Sequence, residues 1–201
     1  MNFYLDTEFW ERNGIVELIS IGIKCENGQK LYAENSRFNW DTCTNQWLHE
    51  NVKNHLRYHG KVSEWSNLTN EFQQKFSSSA FGAVELIDST LFFEANLPTI
   101  GDVIKDWVEQ QTKEPPVFYA YYGAYDWVAF MSCFGYMMNQ PKGWPMYQID
   151  LKQMMEHYKL NKEWKQEHCP DPINEHHALA DAEWNEKLYE AIDDYIDRDF
   201  Q

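Results

Sequence analysis

The first thirty-five residues constrain the fold more than any other part of the chain. Two Asn-Gly pairs, Asn13-Gly14 and Asn27-Gly28, punctuate the runs 2–9, 16–24 (VELISIGIK) and 30–34. Asn and Gly tolerate the positive φ angles of a tight hairpin turn, and the second run carries apolar residues at period two. Three antiparallel strands in a meander are expected. Downstream, 45–58 and 68–76 look helical, and 81–98 mixes its signals and receives no assignment. Thr99 with Asp102 three residues on predicts a capped helix to about 113, which Pro115-Pro116 ends. VFYAY (117–121) reads as a buried strand, 125–138 as a helix, 146–149 as a short strand and 178–197 as a long final helix. Asp150 is placed as the N-cap of a helix between them. A meander followed by alternating helices and strands predicts an α/β fold: a mixed sheet of antiparallel and parallel strands, flanked by helices.

At 201 residues the chain fits one domain, 1–201, with enough length to bury a sizeable core. Its formal net charge of −15 is the wrong sign for gripping nucleic acid over a broad basic face. It does not exclude an enzyme whose acidic pocket is filled by divalent cations, which would supply positive charge where a phosphate sits. The four cysteines show no CxxC spacing, and MNFYLDTEF has no signal-peptide pattern, so a cytoplasmic location is expected. The apolar stretch 117–138 is long enough for a bilayer, but Asp126 near its centre would cost about 3 kcal/mol, and no membrane partner is expected.

The informative residues are acids in apolar surroundings. On strand 2–9, alternation puts Asp6 and Glu8 on one face, with Phe3, Leu5, Thr7 and Phe9 on the other. Neighbouring carboxylates repel unless a cation sits between them. Taken alone, an Asp-x-Glu is more often an edge strand with its acids in solvent. The final helix adds an independent clue: Leu188, Ala191, Ile192 and Tyr195 mark an apolar stripe, and Asp181 lies seven residues before Leu188 on or near it. Asp126, within Tyr-Asp-Trp-Val, is again an acid in an apolar setting. A buried carboxylate must be paired or bound to metal. A helix cap or a satisfied core acid explains each singly; three such sites together favour metal.

LDTEF (5–9), YYGAYD (121–126) and HHALADA (176–182) resemble, in order, the three motifs of the DEDDh exonuclease superfamily. The closest likeness is to the ribonuclease AS group of polyadenylate-directed 3′→5′ exoribonucleases, whose first motif continues into a strand like ELISIG (17–22). His176, Ala178, Leu179 and Asp181 match the fixed positions of the third motif. The resemblance implies a ribonuclease H-like fold over about 1–36 and 99–197, with 37–98 an extended helical or irregular insertion. It also implies release of 5′-mononucleotides from the 3′ end of single-stranded RNA, a preference for poly(A), and dimerisation. One departure stands out: many members carry Asn four residues before the second-motif Asp, where this chain has Tyr122, which bears on substrate preference.

The implied chemistry is two-metal hydrolysis with Asp6, Glu8, Asp126 and Asp181 as ligands. One ion lowers the pKa of a water and the other stabilises the leaving 3′-oxygen. All-carboxylate ligands favour Mg²⁺ or Mn²⁺ over zinc. His176 is expected as the general base, with His177 competing for the role. Thr7, Phe9, Trp10 and Tyr122 are candidate substrate contacts, Phe9 and Trp10 as base-stacking rings. A DNA or short-oligonucleotide exonuclease of the same superfamily, a small-nucleotide phosphodiesterase and a catalytically inactive binding module are the competing readings. All five catalytic positions are present, which weighs against the last.

Overall fold

A computed structural model describes residues 1–57, 68–172 and 176–199. The expected meander forms β1 (Asn2–Arg12), β2 (Ile15–Cys25) and β3 (Lys30–Asn35). Asn13 and Gly14 both take positive φ, 50° and 77°, as a two-residue hairpin requires.

The remaining strands complete a seven-stranded mixed sheet. They are β4 (Phe81–Ile87), β5 (Thr90–Ala95), β6 (Val117–Ala120) and β7 (Ile149–Asp150), in the order β4-β5-β3-β2-β1-β6-β7. β6 runs parallel to β1 and β7 parallel to β6, while β5 runs parallel to β3 and antiparallel to β4. The segment expected to be helical or irregular therefore extends the sheet by two strands. Their turn is Asp88-Ser89, with φ of 46° and 64° but no glycine, so the usual hairpin signal is missing.

Seven α-helices accompany the sheet among the described residues: α1 (Gln46–Asn51), α2 (Asn70–Lys75), α3 (Leu97–Gln111), α4 (Ala124–Ser132), α5 (Leu151–His157), α6 (Lys162–His168) and α7 (Ala178–Asp199). α3 starts earlier than its Thr99 signal suggested, because Asn96 is the cap and its side chain accepts from Thr99 N–H. α4 stops at Ser132 rather than 138, and β7 lies at 149–150 instead of 146–149. Asp150 caps α5 as expected, accepting from the N–H groups of Lys152 and Gln153. Residues 117–138 divide into a strand, a loop and a short helix. Among the described residues no helix is long and apolar enough to cross a membrane.

Two apolar layers fix where the acids go. Phe3 and Leu5 pack with Ile100, Trp107, Phe118 and Phe130 under α3 and α4. Tyr4 packs on the opposite face with Tyr119, Leu151, Trp184, Leu188 and Ile192 under α5 and α7. Asp6 and Glu8 alternate in phase with Tyr4, so β1 directs them toward α7.

Candidate active site

Asp6 and Glu8 reach α7 because β2 lets the helix come close. Gly22 pairs with Asp6 across the β1–β2 ladder, and a Cβ there would lie 2.3 Å from the Leu179 backbone. Only a missing side chain permits that approach. Asn185, 1% exposed, ties the same helix to β1 by donating from Nδ2 to the Leu5 carbonyl at 2.9 Å. Asp181 in the first turn then meets the strand: one ligand atom from each of Asp6, Glu8 and Asp181 lies within 4.8 Å of the others.

Asp126 arrives by another route. The β1–β6 pairing ends at Tyr4 and Tyr119, leaving β1 open on that side from Leu5 onward. Asp126, in the first turn of α4 and 7% exposed, takes the place of a ladder partner. Its Oδ1 accepts from Thr7 N–H at 2.9 Å and from the Thr7 hydroxyl at 2.7 Å. It stands beside the three-acid cluster, close enough to raise the pKa of Asp6 by repulsion.

The electrostatics are those of crowded, desolvated anions. Burial, then repulsion from Asp126, Glu8 and Asp181, pushes Asp6 well above the usual carboxylate range. Burial, then Asp181 and Asp126, raises Glu8 to about 8. Burial raises Asp126 to about 6 against the opposing pull of its Thr7 hydrogen bonds. A set of oxygen donors this costly to ionise fits hard divalent cations, which would compensate the charge.

His176 lines a cavity of about 280 Å³ together with Asp6, Asp181, Asn185, Trp184 and Tyr121. Its backbone N–H donates to Asp181 Oδ2 at 2.9 Å, and its φ of 68° is left-handed, a strained state for an imidazole side chain. Two residues outside the recognised motifs also fix it. Trp47 of α1 meets the His176 ring edge-on at 4.6 Å between centroids, and His55 Nδ1–H donates to the His176 carbonyl at 3.4 Å. His177 goes elsewhere: it stacks on Tyr32 at 4.7 Å and 14°, and burial lowers its pKa.

The four candidate substrate contacts separate. Phe9 stacks on Tyr125, which is 47% exposed, at 5.8 Å and 14°. Tyr122 is 62% exposed, with a left-handed φ of 56°. Trp10 does not offer a stacking face: it is 6% exposed, with Phe38 edge-on at 6.2 Å and the Arg12 guanidinium 4.3 Å over the ring. Thr7 is buried, and its hydroxyl is committed to Asp126 rather than exposed to a substrate. The sequence reading missed Asn185, although a polar residue three before Leu188 on an apolar stripe was a usable signal. It also missed Tyr125, Trp47 and the ion pair between buried Lys165 and exposed Asp171. Lys165 Nζ lies 4.9 Å from the Trp184 ring centre and 5.4 Å from that of Tyr121, and Asp171 lines the same cavity as His176.

Comparison with known proteins adds a separate line. The family model for the 3′-5′ exoribonuclease Rv2179c-like domain matches residues 1–193. Two relatives from Mycobacterium tuberculosis are the 3′-5′ exoribonuclease Rv2179c (strain ATCC 25618 / H37Rv) and the 3′-5′ exoribonuclease MT2234.1 (strain CDC 1551 / Oshkosh). Each is 27% identical over 187 residues, covering 90% of this chain and 87% of the relative.

Proposed function

The chain belongs to the 3′-5′ exoribonuclease Rv2179c-like family, and from that premise we propose that it shortens single-stranded RNA from the 3′ end by metal-dependent hydrolysis, releasing 5′-mononucleotides. The observation that carries this reading is the convergence of Asp6, Glu8 and Asp181, from a strand and a helix at opposite ends of the chain, with Asp126 beside them. These four carboxylates would hold two Mg²⁺ or Mn²⁺ ions. Bound there, the ions supply the Lewis acidity that activates water and stabilises the departing 3′-oxygen.

The protein's own groups do the rest. Thr7 holds Asp126 in one rotamer through two hydrogen bonds. The His176 imidazole takes the proton of the attacking water, with its backbone anchored to Asp181 and its ring braced by Trp47. Phe9 and Tyr125 present a pair of parallel rings to a terminal base, and Tyr122 stands exposed where a substrate would enter. Assignment to the DEDDh type, and within it to the poly(A)-directed ribonuclease AS group, belongs to the same proposal.

The test is release of mononucleotides from labelled RNA, single-stranded DNA and dinucleotides of matched sequence, with poly(A) against mixed RNA as a further arm. RNA degraded from its 3′ end, arrested by EDTA and restored by Mg²⁺ or Mn²⁺, is the expected result. Full activity in excess EDTA removes the metal reading. Cleavage of circular RNA removes the exonuclease reading, and preferential attack on DNA or dinucleotides moves the substrate class.

A further inference from the structure

His176 and His177 face different cavities, and the first turn of α7 is the wall between them. His176 lines the acidic cavity with Asp6 and Asp181. His177 lines a larger one, of about 470 Å³, with Leu179, Ala180 and Glu183 of α7, Phe92 of β5 and Arg57. We infer that this second cavity is a nucleobase subsite, occupied by a base of the RNA whose 3′ end lies in the acidic cavity. The inference rests on the reading of that acidic cavity given above.

Three observations define the ligand. The volume falls in the range of small-molecule sites, about 300–1,000 Å³. A stack is already begun: Tyr32, 1% exposed, lies beneath, and the half-buried His177 ring lies parallel on it at 14°. Phe92 supplies a second aromatic surface, with the Arg57 guanidinium laid over it at 4.0 Å. A flat heteroaromatic group continues such an arrangement, and base stacking on aromatic rings is indifferent to base identity.

The charges decide the rest. Glu183 is ion-paired with Lys30, and Arg57 Nη2 donates to Glu85 at 2.7 Å. Each charge at the cavity thus has an opposite partner, so a phosphate or a metal ion gains little net attraction there. Arg57 donors and Glu183 acceptors still offer hydrogen bonds to the edge of a neutral ring. Planar, uncharged and polar at its edge describes a nucleobase. The first turn of α7, a helix about 10–12 Å across with its side chains, lies between this cavity and the acidic one, so a strand that enters both passes over that turn.

The experiment is steady-state hydrolysis of one RNA sequence at lengths from two to six nucleotides, by wild type, His177→Ala, His177→Phe and Phe92→Ala. We expect His177→Ala and Phe92→Ala to raise KM for the longer substrates about five- to a hundredfold, the range that losing one base stack implies. The dinucleotide kcat should not change, and His177→Phe, which keeps a ring on Tyr32, should restore KM. KM unchanged at every length in His177→Ala and Phe92→Ala, each shown folded by circular dichroism, overturns the inference. Adenosine inhibition that His177→Ala relieves equally at all lengths assigns the cavity to a free nucleoside and overturns its role as an RNA subsite. A wild type that shortens no RNA at all is a distinct outcome, which overturns the reading of the acidic cavity and this inference with it.

Discussion

Two consecutive histidines end in opposite electrostatic environments. On the His176 side, four carboxylates crowd together and burial pushes three of them toward protonation. On the His177 side, Glu183 is paired with Lys30 and Glu85 with Arg57. Residue type does not distinguish the two regions, since both contain Glu and His. Charge balance does. Surplus anion asks for cations, and cations bring phosphate chemistry; a balanced pocket suits a neutral planar group.

The comparison breaks first at the acids. Asp126→Ala and Asp181→Ala should each abolish mononucleotide release. Both relieve repulsion in the metal-free protein, but Asp126→Ala also strips the buried Thr7 donors of their acceptor, at about 1–3 kcal/mol, so Asp181→Ala should be the more stable of the two. Activity assays with thermal melts check both parts. A variant that keeps more than a small fraction of turnover shows that its residue is a structural acid.

His176→Ala should lower kcat by about 10²–10⁴ while leaving metal affinity intact, whereas His177→Ala should keep kcat on the shortest substrate. Exchange of these two phenotypes would erase the distinction between the cavities.

Gly22→Ala tests the wall itself. Its Cβ would meet the Leu179 backbone at 2.3 Å, so α7 must shift and carry Asp181 away from Asp6. A displacement near 1 Å costs about 10²-fold in rate. Overpacking should cost a further ~1–3 kcal/mol of stability, seen as a lower Tm. Near wild-type activity would show that the helix does not need this close approach.

The smallest effect is on pH dependence. Glu8, near 8 in the folded protein, and Asp126, near 6, both lie above their unfolded values of about 4, so the folded state holds the extra protons. Their contribution to stability is greatest below pH 4 and is lost as pH rises toward 8. The Tm of metal-free protein should therefore fall between about pH 5 and 8, by roughly 2–4 °C per kcal/mol. Mg²⁺ or Mn²⁺ should raise Tm more at pH 8 than at pH 5.5, and Glu8→Gln should flatten the slope. Identical slopes in wild type and Glu8→Gln would remove Glu8 as the source.

Much of this was legible in the chain, and the failures share a cause. Asn13-Gly14 forms the expected hairpin because its turn chemistry is local. Asp88-Ser89 makes the same kind of turn without glycine, so β4 and β5 stayed hidden. Alternation on β1 placed Asp6 and Glu8 on one face, and the same alternation made Thr7 and Phe9 look equivalent. They are not: β6 diverges, Asp126 captures the Thr7 N–H, and the hydroxyl follows. Trp10 read as a stacking ring until Phe38, from the segment after β3, closed over it.

By itself the sequence determined the meander, the side of the sheet on which the acids fall, and the order of the three motifs, because periodicity and turn residues act over a few positions. Only the tertiary structure decided that Gly22 admits α7 to the sheet, that Asp126 completes an open strand edge, that Trp47 braces His176, and that His177 turns to Tyr32. Each of these is a contact between segments far apart in the chain. Such contacts depend on the volumes and unpaired backbone groups that remain once the sheet has formed, and no local pattern encodes them.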